Sequence, residues 1–162
     1  MEYSKALAIA QEVRDLLSPH CHRIEIAGSI RRKNPEVKDV EIVAVPKPYD
    51  IGLLESGIAN VVNRWERVIG KLPCKYTRRI LPHGIKLDLF FANEYNWGYI
   101  FAQRTGSVDF CRRILGPKWV NAGFKGEGGY LTRDRRMVEV REEEDLFKII
   151  GIPFVQPEKR NI

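Results

Sequence analysis

The run Asp39-Val40-Glu41-Ile42-Val43-Ala44-Val45 constrains this chain more than any other segment. Its β-branched and apolar residues, stopped by Pro46, predict a strand. Residues two apart on a strand share a face, so Asp39 and Glu41 project side by side. Neighbouring acids repel each other and resist burial unless a cation neutralises them. Either the face is open to water and these are surface acids, or a hard divalent ion with oxygen ligands, Mg²⁺ or Mn²⁺, lies against them.

The surrounding periodicities say what this strand packs with. Ala6, Ile9, Val13, Leu16 and Leu17 recur every three or four positions and predict an amphipathic helix over Tyr3 to Leu17, ended by Ser18-Pro19. Arg23-Ile24-Glu25-Ile26 alternates as a half-buried strand, and Leu54, Ile58, Val61, Val62, Trp65, Val68 and Ile69 predict a second long helix. Lys75 to Leu81 and Ile85 to Phe91 are strand-like, with Pro82-His83-Gly84 as a tight connection. After Asn93 the character changes and a lobe boundary is expected. Thr105-Gly106-Ser107 opens another helix, Gly129 to Thr132 and Met137 to Val140 are short strands, and Glu142 to Ile150 is a helix ended by Gly151 and Pro153.

Two further segments carry chemistry. Ile26-Ala27-Gly28-Ser29-Ile30-Arg31-Arg32 runs from a strand through Gly-Ser into a pair of arginines. It is either a plain turn or a phosphate site, in which glycine permits close approach, Ser29 supplies a hydroxyl and Arg31 or Arg32 clamps phosphate oxygens. In Lys86-Leu87-Asp88-Leu89-Phe90-Phe91, Leu87, Leu89 and Phe91 share one face and Asp88 takes the other. Asp88 is a surface acid, or, if its strand lies beside the first acidic one, it completes a triad able to hold two ions.

Charge and composition limit the partners. Lys and Arg number 27 against 21 Asp and Glu, a net charge of +6, which favours a polyanion. Arg31-Arg32-Lys33, Arg78-Arg79, Arg112-Arg113 and Arg133-Asp134-Arg135-Arg136 repeat the basic theme and predict contacts with a phosphate backbone. Cys21, Cys74 and Cys111 are odd in number and widely spaced, which predicts free thiols in a reducing, cytoplasmic setting. No apolar run approaches the ~18 residues of a membrane span.

Gly28-Ser29, Arg32, Asp39-x-Glu41 and the later Asp88 resemble the nucleotidyltransferase superfamily of DNA polymerase beta, and specifically family X DNA polymerases. Thr105-Gly106-Ser107 is similar to the thumb motif lining that family's nucleotide pocket. The ending from Glu142-Glu143-Glu144-Asp145-Leu146-Phe147 through Pro153, Pro157 and Arg160 extends the resemblance over nearly the whole chain. It implies an α+β fold: a palm-like catalytic lobe over residues 1–94 with a mixed sheet and helices, then a small thumb-like lobe over 95–162. It implies that Asp39, Glu41 and Asp88 hold two Mg²⁺ or Mn²⁺ ions, with Asp88 nearest a primer 3′-hydroxyl. Gly28, Ser29 and Arg32 would bind the β- and γ-phosphates, Thr105 and Gly106 would line the nucleotide pocket, and Lys86 would lie near the primer terminus. Arg78, Arg79, Arg112 and Arg113 join Lys86 as DNA contacts. This chain departs from the family in having Glu41 where Asp is common and Gln103-Arg104 where an aromatic pair usually precedes Thr-Gly.

The expected activity is template-directed, gap-filling DNA synthesis by a monomer using nucleoside triphosphates. The brevity resembles the minimal viral members, as a virus- or phage-encoded enzyme would. Two rival readings follow from the same residues: an untemplated transferase acting on a small molecule or an RNA end, and an inactive nucleic-acid-binding module.

Overall fold

Ala6, Ile9, Ala10, Val13 and Leu17 are the buried residues of α1 (Tyr3–Leu17), the helix expected from their spacing. The computed structural model describes residues 1–47 and 57–162, and the chain divides into two compact units, Met1–Ala92 and Asn93–Ile162. In the first, α1 is followed by β1 (Cys21–Ile26), the single turn α2 (Gly28–Arg31), β2 (Asp39–Pro46), the short α3 (Ile58–Val62), β3 (Glu66–Ile69), β4 (Tyr76–Ile80) and β5 (Lys86–Phe91). The sheet order is β1-β2-β5-β4-β3; β2 and β5 run parallel and the other pairs antiparallel. The sheet is therefore mixed. Val40, Ile42 and Ala44 of β2 and Leu87 and Leu89 of β5 form one core with the apolar stripe of α1 and with Ile58 and Val62 of α3. Each fully buried Val, Leu or Ile of this core contributes ~1.5–3 kcal/mol, so the alternation of β2 and β5 fixes which face packs on the helices and leaves Asp39, Glu41 and Asp88 on the other.

The long helix expected over Leu54 to Ile69 does not extend to Ile69: among the described residues the helix is short and a strand follows it. Its start, through Ser56, lies outside the described residues. Helix α3 ends at Val62, and Glu66–Ile69 is an edge strand paired with β4. Tertiary hydrogen bonds override the helical spacing. Thr77 Oγ1 donates to the carbonyls of Ile69 and Gly70 at 2.8 and 2.9 Å, and the Arg79 guanidinium reaches the carbonyls of Trp65 and Gly70. Those carbonyls would be turned along the axis in a helix.

The second unit begins with α4 (Trp97–Thr105), followed by α5 (Val108–Phe110), a π-helical stretch over Cys111–Leu115 and α6 (Gly116–Asn121). Strands β6 (Lys125–Glu127), β7 (Tyr130–Arg133) and β8 (Arg136–Val138) form an antiparallel sheet, and α7 (Glu143–Ile149) packs against α4. Strand β6 was not expected, because Lys125-Gly126-Glu127 has no apolar alternation; its pairing with β7 makes it a strand. Thr105 closes α4 where the sequence placed it at the opening of the next helix. Ser107 caps that next helix, its Oγ accepting from the Phe110 N–H at 3.0 Å. Gly98 lies against the Glu142 carbonyl, where a Cβ would overlap the backbone, so glycine allows the start of α4 to meet the start of α7.

Candidate active site

Parallel pairing of β2 with β5 sets Glu41 opposite Asp88 and Asp39 opposite Lys86. In a parallel ladder opposed residues share a face, so the three acids come to one side of two neighbouring strands, away from α1. Antiparallel pairing of β4 with β5 then sets Arg78 opposite Asp88. The Arg78 guanidinium holds both carboxylate oxygens, Nε to Oδ1 and Nη2 to Oδ2, each at 2.6 Å. It also lies 3.8 Å from Asp39 Oδ2. Tyr76, on the same face of β4, donates its hydroxyl to Asp88 Oδ1 at 2.8 Å and stacks on Phe90 with ring centroids 4.9 Å apart.

The electrostatics follow from this crowding. Burial, and then the charge of Asp88, push the Asp39 carboxyl above its usual range, against the pull of Arg78, Lys86 and Lys38. Burial, together with the bond to Asp88, pushes the Tyr76 hydroxyl up to about 12, so it is a donor at neutral pH. The bond to Asp88 also raises the pKa of the Arg78 guanidinium. Among the described residues no three acidic, histidine or cysteine side chains stand close enough to hold an ion as they lie. The chemistry of the donor set nonetheless fits a hard divalent cation: carboxylate oxygens on one face, repelling each other, already drawing the Arg78 guanidinium.

Beside the acids is the Gly28-Ser29 turn. The Ala27 N–H donates to the Glu41 carbonyl at 2.8 Å, which ties the end of β1 to the acidic stretch of β2. Gly28 has φ +60° and lies directly on the Glu41 side chain. Ser29 Oγ is a buried oxygen with no hydrogen-bond partner, an arrangement that costs ~1–3 kcal/mol unless a ligand satisfies it. Arg31 and Arg32 follow at the end of this turn, both half-buried.

The remaining expected residues separate. Lys86 is exposed at the start of β5. Arg79, adjacent to Arg78, points to the opposite face; it is 3% exposed and donates to Thr77 Oγ1 at 3.0 Å as well as to backbone carbonyls. It is therefore a buried brace and not part of a surface basic pair. In the second unit Arg112 and Arg113 are exposed on the π-helical stretch, with Arg113 3.6 Å from Asp109. Thr105 is fully buried, while Gly106 packs against Phe110 and Cys111. Cys111 Sγ donates to the Gln103 carbonyl at 3.3 Å, fixing the backbone just before Thr105. Sequence reading missed Tyr76 as a partner of Asp88. The spacing Tyr76-x-Arg78 puts both on one face, but only the β4–β5 register brings that face to Asp88.

A mixed sheet with acids on one face beside a Gly-Ser turn, followed by a smaller α/β unit, defines the α+β class expected from the sequence. Residues 101–161 match the family model described as DNA polymerase beta thumb. Two solved structures of Leishmania infantum polymerase beta are similar. One, a ternary P/T complex, is 19% identical with a TM-score of 0.71, covering 100% of this chain and 77% of that one. The other, a ternary gap complex, is 18% identical with a TM-score of 0.73, covering 100% of this chain and 71% of that one. No curated protein matches the chain. The fold is that of polymerase beta, and the resemblance to family X DNA polymerases is borne out by family over residues 101–161 and by fold over the whole chain. Among the described residues no helix is long and apolar enough to cross a membrane.

Proposed function

We propose that the chain is a template-directed DNA nucleotidyltransferase that fills short gaps, with a palm-like catalytic lobe over residues 1–94 and a thumb-like lobe over 95–162. The observation that carries this reading is the gathering of Asp39, Glu41 and Asp88 on one face, with Gly28 packed against Glu41 and the buried Ser29 hydroxyl next in sequence. The likeness to polymerase beta and its thumb supports it.

In the proposed reaction the oxygen of a primer 3′-hydroxyl attacks the α-phosphorus of a nucleoside triphosphate, and the bond to pyrophosphate breaks as the hydroxyl proton leaves. Asp39, Glu41 and Asp88 would hold two Mg²⁺ or Mn²⁺ ions, which when bound lower the hydroxyl's pKa and neutralise the triphosphate. Asp88 orients the primer hydroxyl. Ser29 donates its hydroxyl to a phosphate oxygen, and Arg32 pairs with the β- and γ-phosphates. Because Gly28 joins this turn to Glu41, triphosphate and carboxylates are brought together by one local packing. Lys86, Arg78, Arg112 and Arg113 take DNA phosphates, and Thr105 and Gly106 carry the nucleotide-pocket role of the resemblance.

Asp39→Asn, Glu41→Gln and Asp88→Asn test the reading in a primer-extension assay. Each is expected to lower incorporation by about a hundredfold or more, the scale of losing a group that stabilises transition-state charge. Near wild-type turnover by Asp88→Asn would falsify the triad. Extension of a single-stranded substrate as fast as a gapped one favours the untemplated transferase.

A further inference from the structure

Asp88 is only 5% exposed, and a carboxylate this deep requires a partner of opposite charge. In the structure that partner is Arg78. Its planar fork covers both oxygens at 2.6 Å, a bidentate grip that a compact ammonium cannot reproduce. A divalent ion held by Asp39 and Asp88 would need carboxylate oxygens that Arg78 occupies on Asp88 and approaches to 3.8 Å at Asp39 Oδ2. While the guanidinium fork covers both oxygens of Asp88, a divalent ion cannot take them.

Tyr76 does not compete in the same way. It is a neutral donor, held in place by its stack on Phe90, and it uses one lone pair of Oδ1, leaving Oδ2 to whichever cation is present. Arg78 is different in kind: its side chain is 28% exposed, so its long stem has a route toward water when the carboxylate is taken from it.

Resting on the reading of the acids as metal ligands, we infer that Arg78 is the resident counter-cation of Asp88 and that it and a divalent ion bind Asp88 in mutual exclusion. The guanidinium keeps Asp88 paired while the metal is absent, and an ion is held only after Arg78 has released both oxygens. Ion affinity is thus lowered by the free energy of that release. A released guanidinium stays charged and can take a phosphate, so phosphate and ion each raise the other's affinity by the same factor.

The test is Mn²⁺ binding to the full chain without nucleotide or DNA, read from the electron paramagnetic resonance signal of free Mn²⁺, for wild type, Arg78→Met, Arg78→Lys and Asp88→Asn. Arg78→Met is expected to bind Mn²⁺ at least about tenfold more tightly than wild type. Its metal-free melting temperature should fall, since Asp88 is left unpaired, and Mn²⁺ should raise that temperature by more than it does for wild type. Arg78→Lys should lie between the two and serves alone if Arg78→Met does not fold. Equal or weaker Mn²⁺ binding by the Arg78 variants, with binding still lost in Asp88→Asn, overturns the inference and leaves the metal reading standing. Absence of Mn²⁺ binding by every protein, Arg78→Met included, removes both.

Discussion

Gly28 and Glu41 are packed so closely that a Cβ on Gly28 would overlap Glu41 Oε2. The contact joins the turn after β1 to the acidic stretch of β2, which in the proposed reaction are the triphosphate site and the metal-ligand site. The φ of +60° at Gly28 is a second, independent reason for glycine there.

Gly28→Ala is therefore expected to act on both stability and activity. The left-handed conformation costs an alanine ~1–2 kcal/mol and the overlap with Glu41 a further ~1–3 kcal/mol. Incorporation should fall about a hundredfold or more as Glu41 is pushed aside. Denaturant unfolding in a double-mutant cycle separates the causes: in a Glu41→Ala background the space is cleared, so Gly28→Ala should cost measurably less. Equal costs in both backgrounds would show that the contact is not energetically coupled.

Asp39 gives a pH dependence. Its folded-state pKa is raised above the ordinary 3.8 by burial and by Asp88, so the native chain binds more protons than the unfolded one between the two values. Stability from this group therefore falls as pH rises through the raised pKa, and the deficit is absent below 3.8. In chelator, Asp39→Asn should melt above wild type at about pH 7, with the difference shrinking as the pH is lowered. A lower melting temperature for the variant at about pH 7 would show that the pull of Arg78 and the lysines outweighs the repulsion.

How much of this was legible beforehand depends on whether the determining contacts are local. Helix α1, strands β1, β2, β4 and β5 and the Pro82-His83-Gly84 turn follow from short-range periodicity and turn chemistry, and they stand where expected. Glu66–Ile69 misled because Val68 and Ile69 continue a helical spacing, whereas Thr77 and Arg79, distant in sequence, hold the segment extended. The acids were recognisable as a set from their strand faces. The Arg78–Asp88 pair was not, since it depends on strand register. Arg78-Arg79 looked like one basic patch, but the two-residue period of a strand sends its members to opposite faces.

The second unit rests on a buried ion pair. Arg160 is fully buried, with Nη1 2.5 Å from Glu143 Oε1 and Nε and Nη2 donating to the Val155 carbonyl at 2.8 and 2.7 Å. Phe110, Phe147 and Phe154 surround the guanidinium. Losing one member leaves the other buried and uncompensated, so Glu143→Gln and Arg160→Met should each destabilise the chain by ~3–5 kcal/mol in denaturant titrations. A loss under about 1 kcal/mol would mean that the pair is screened in solution.

Nucleic-acid binding should be dominated by phosphate contacts, because the exposed basic residues, Lys86, Arg112 and Arg113 among them, lie in both units. Affinity for a gapped duplex, followed by fluorescence anisotropy, is expected to fall at least about tenfold between about 50 and about 200 mM salt, with little sequence preference. Binding insensitive to salt favours the small-molecule transferase.

The central claim is templated nucleotidyl transfer by the face that carries Asp39, Glu41 and Asp88. Its most direct measurement is incorporation of labelled deoxynucleotides into a duplex with a single-nucleotide gap, with the template base varied and Mg²⁺ or Mn²⁺ supplied. The account predicts metal-dependent addition of one nucleotide, chosen by the template base and lost in Asp88→Asn. Addition that ignores the template base, or no addition with either metal, would contradict it.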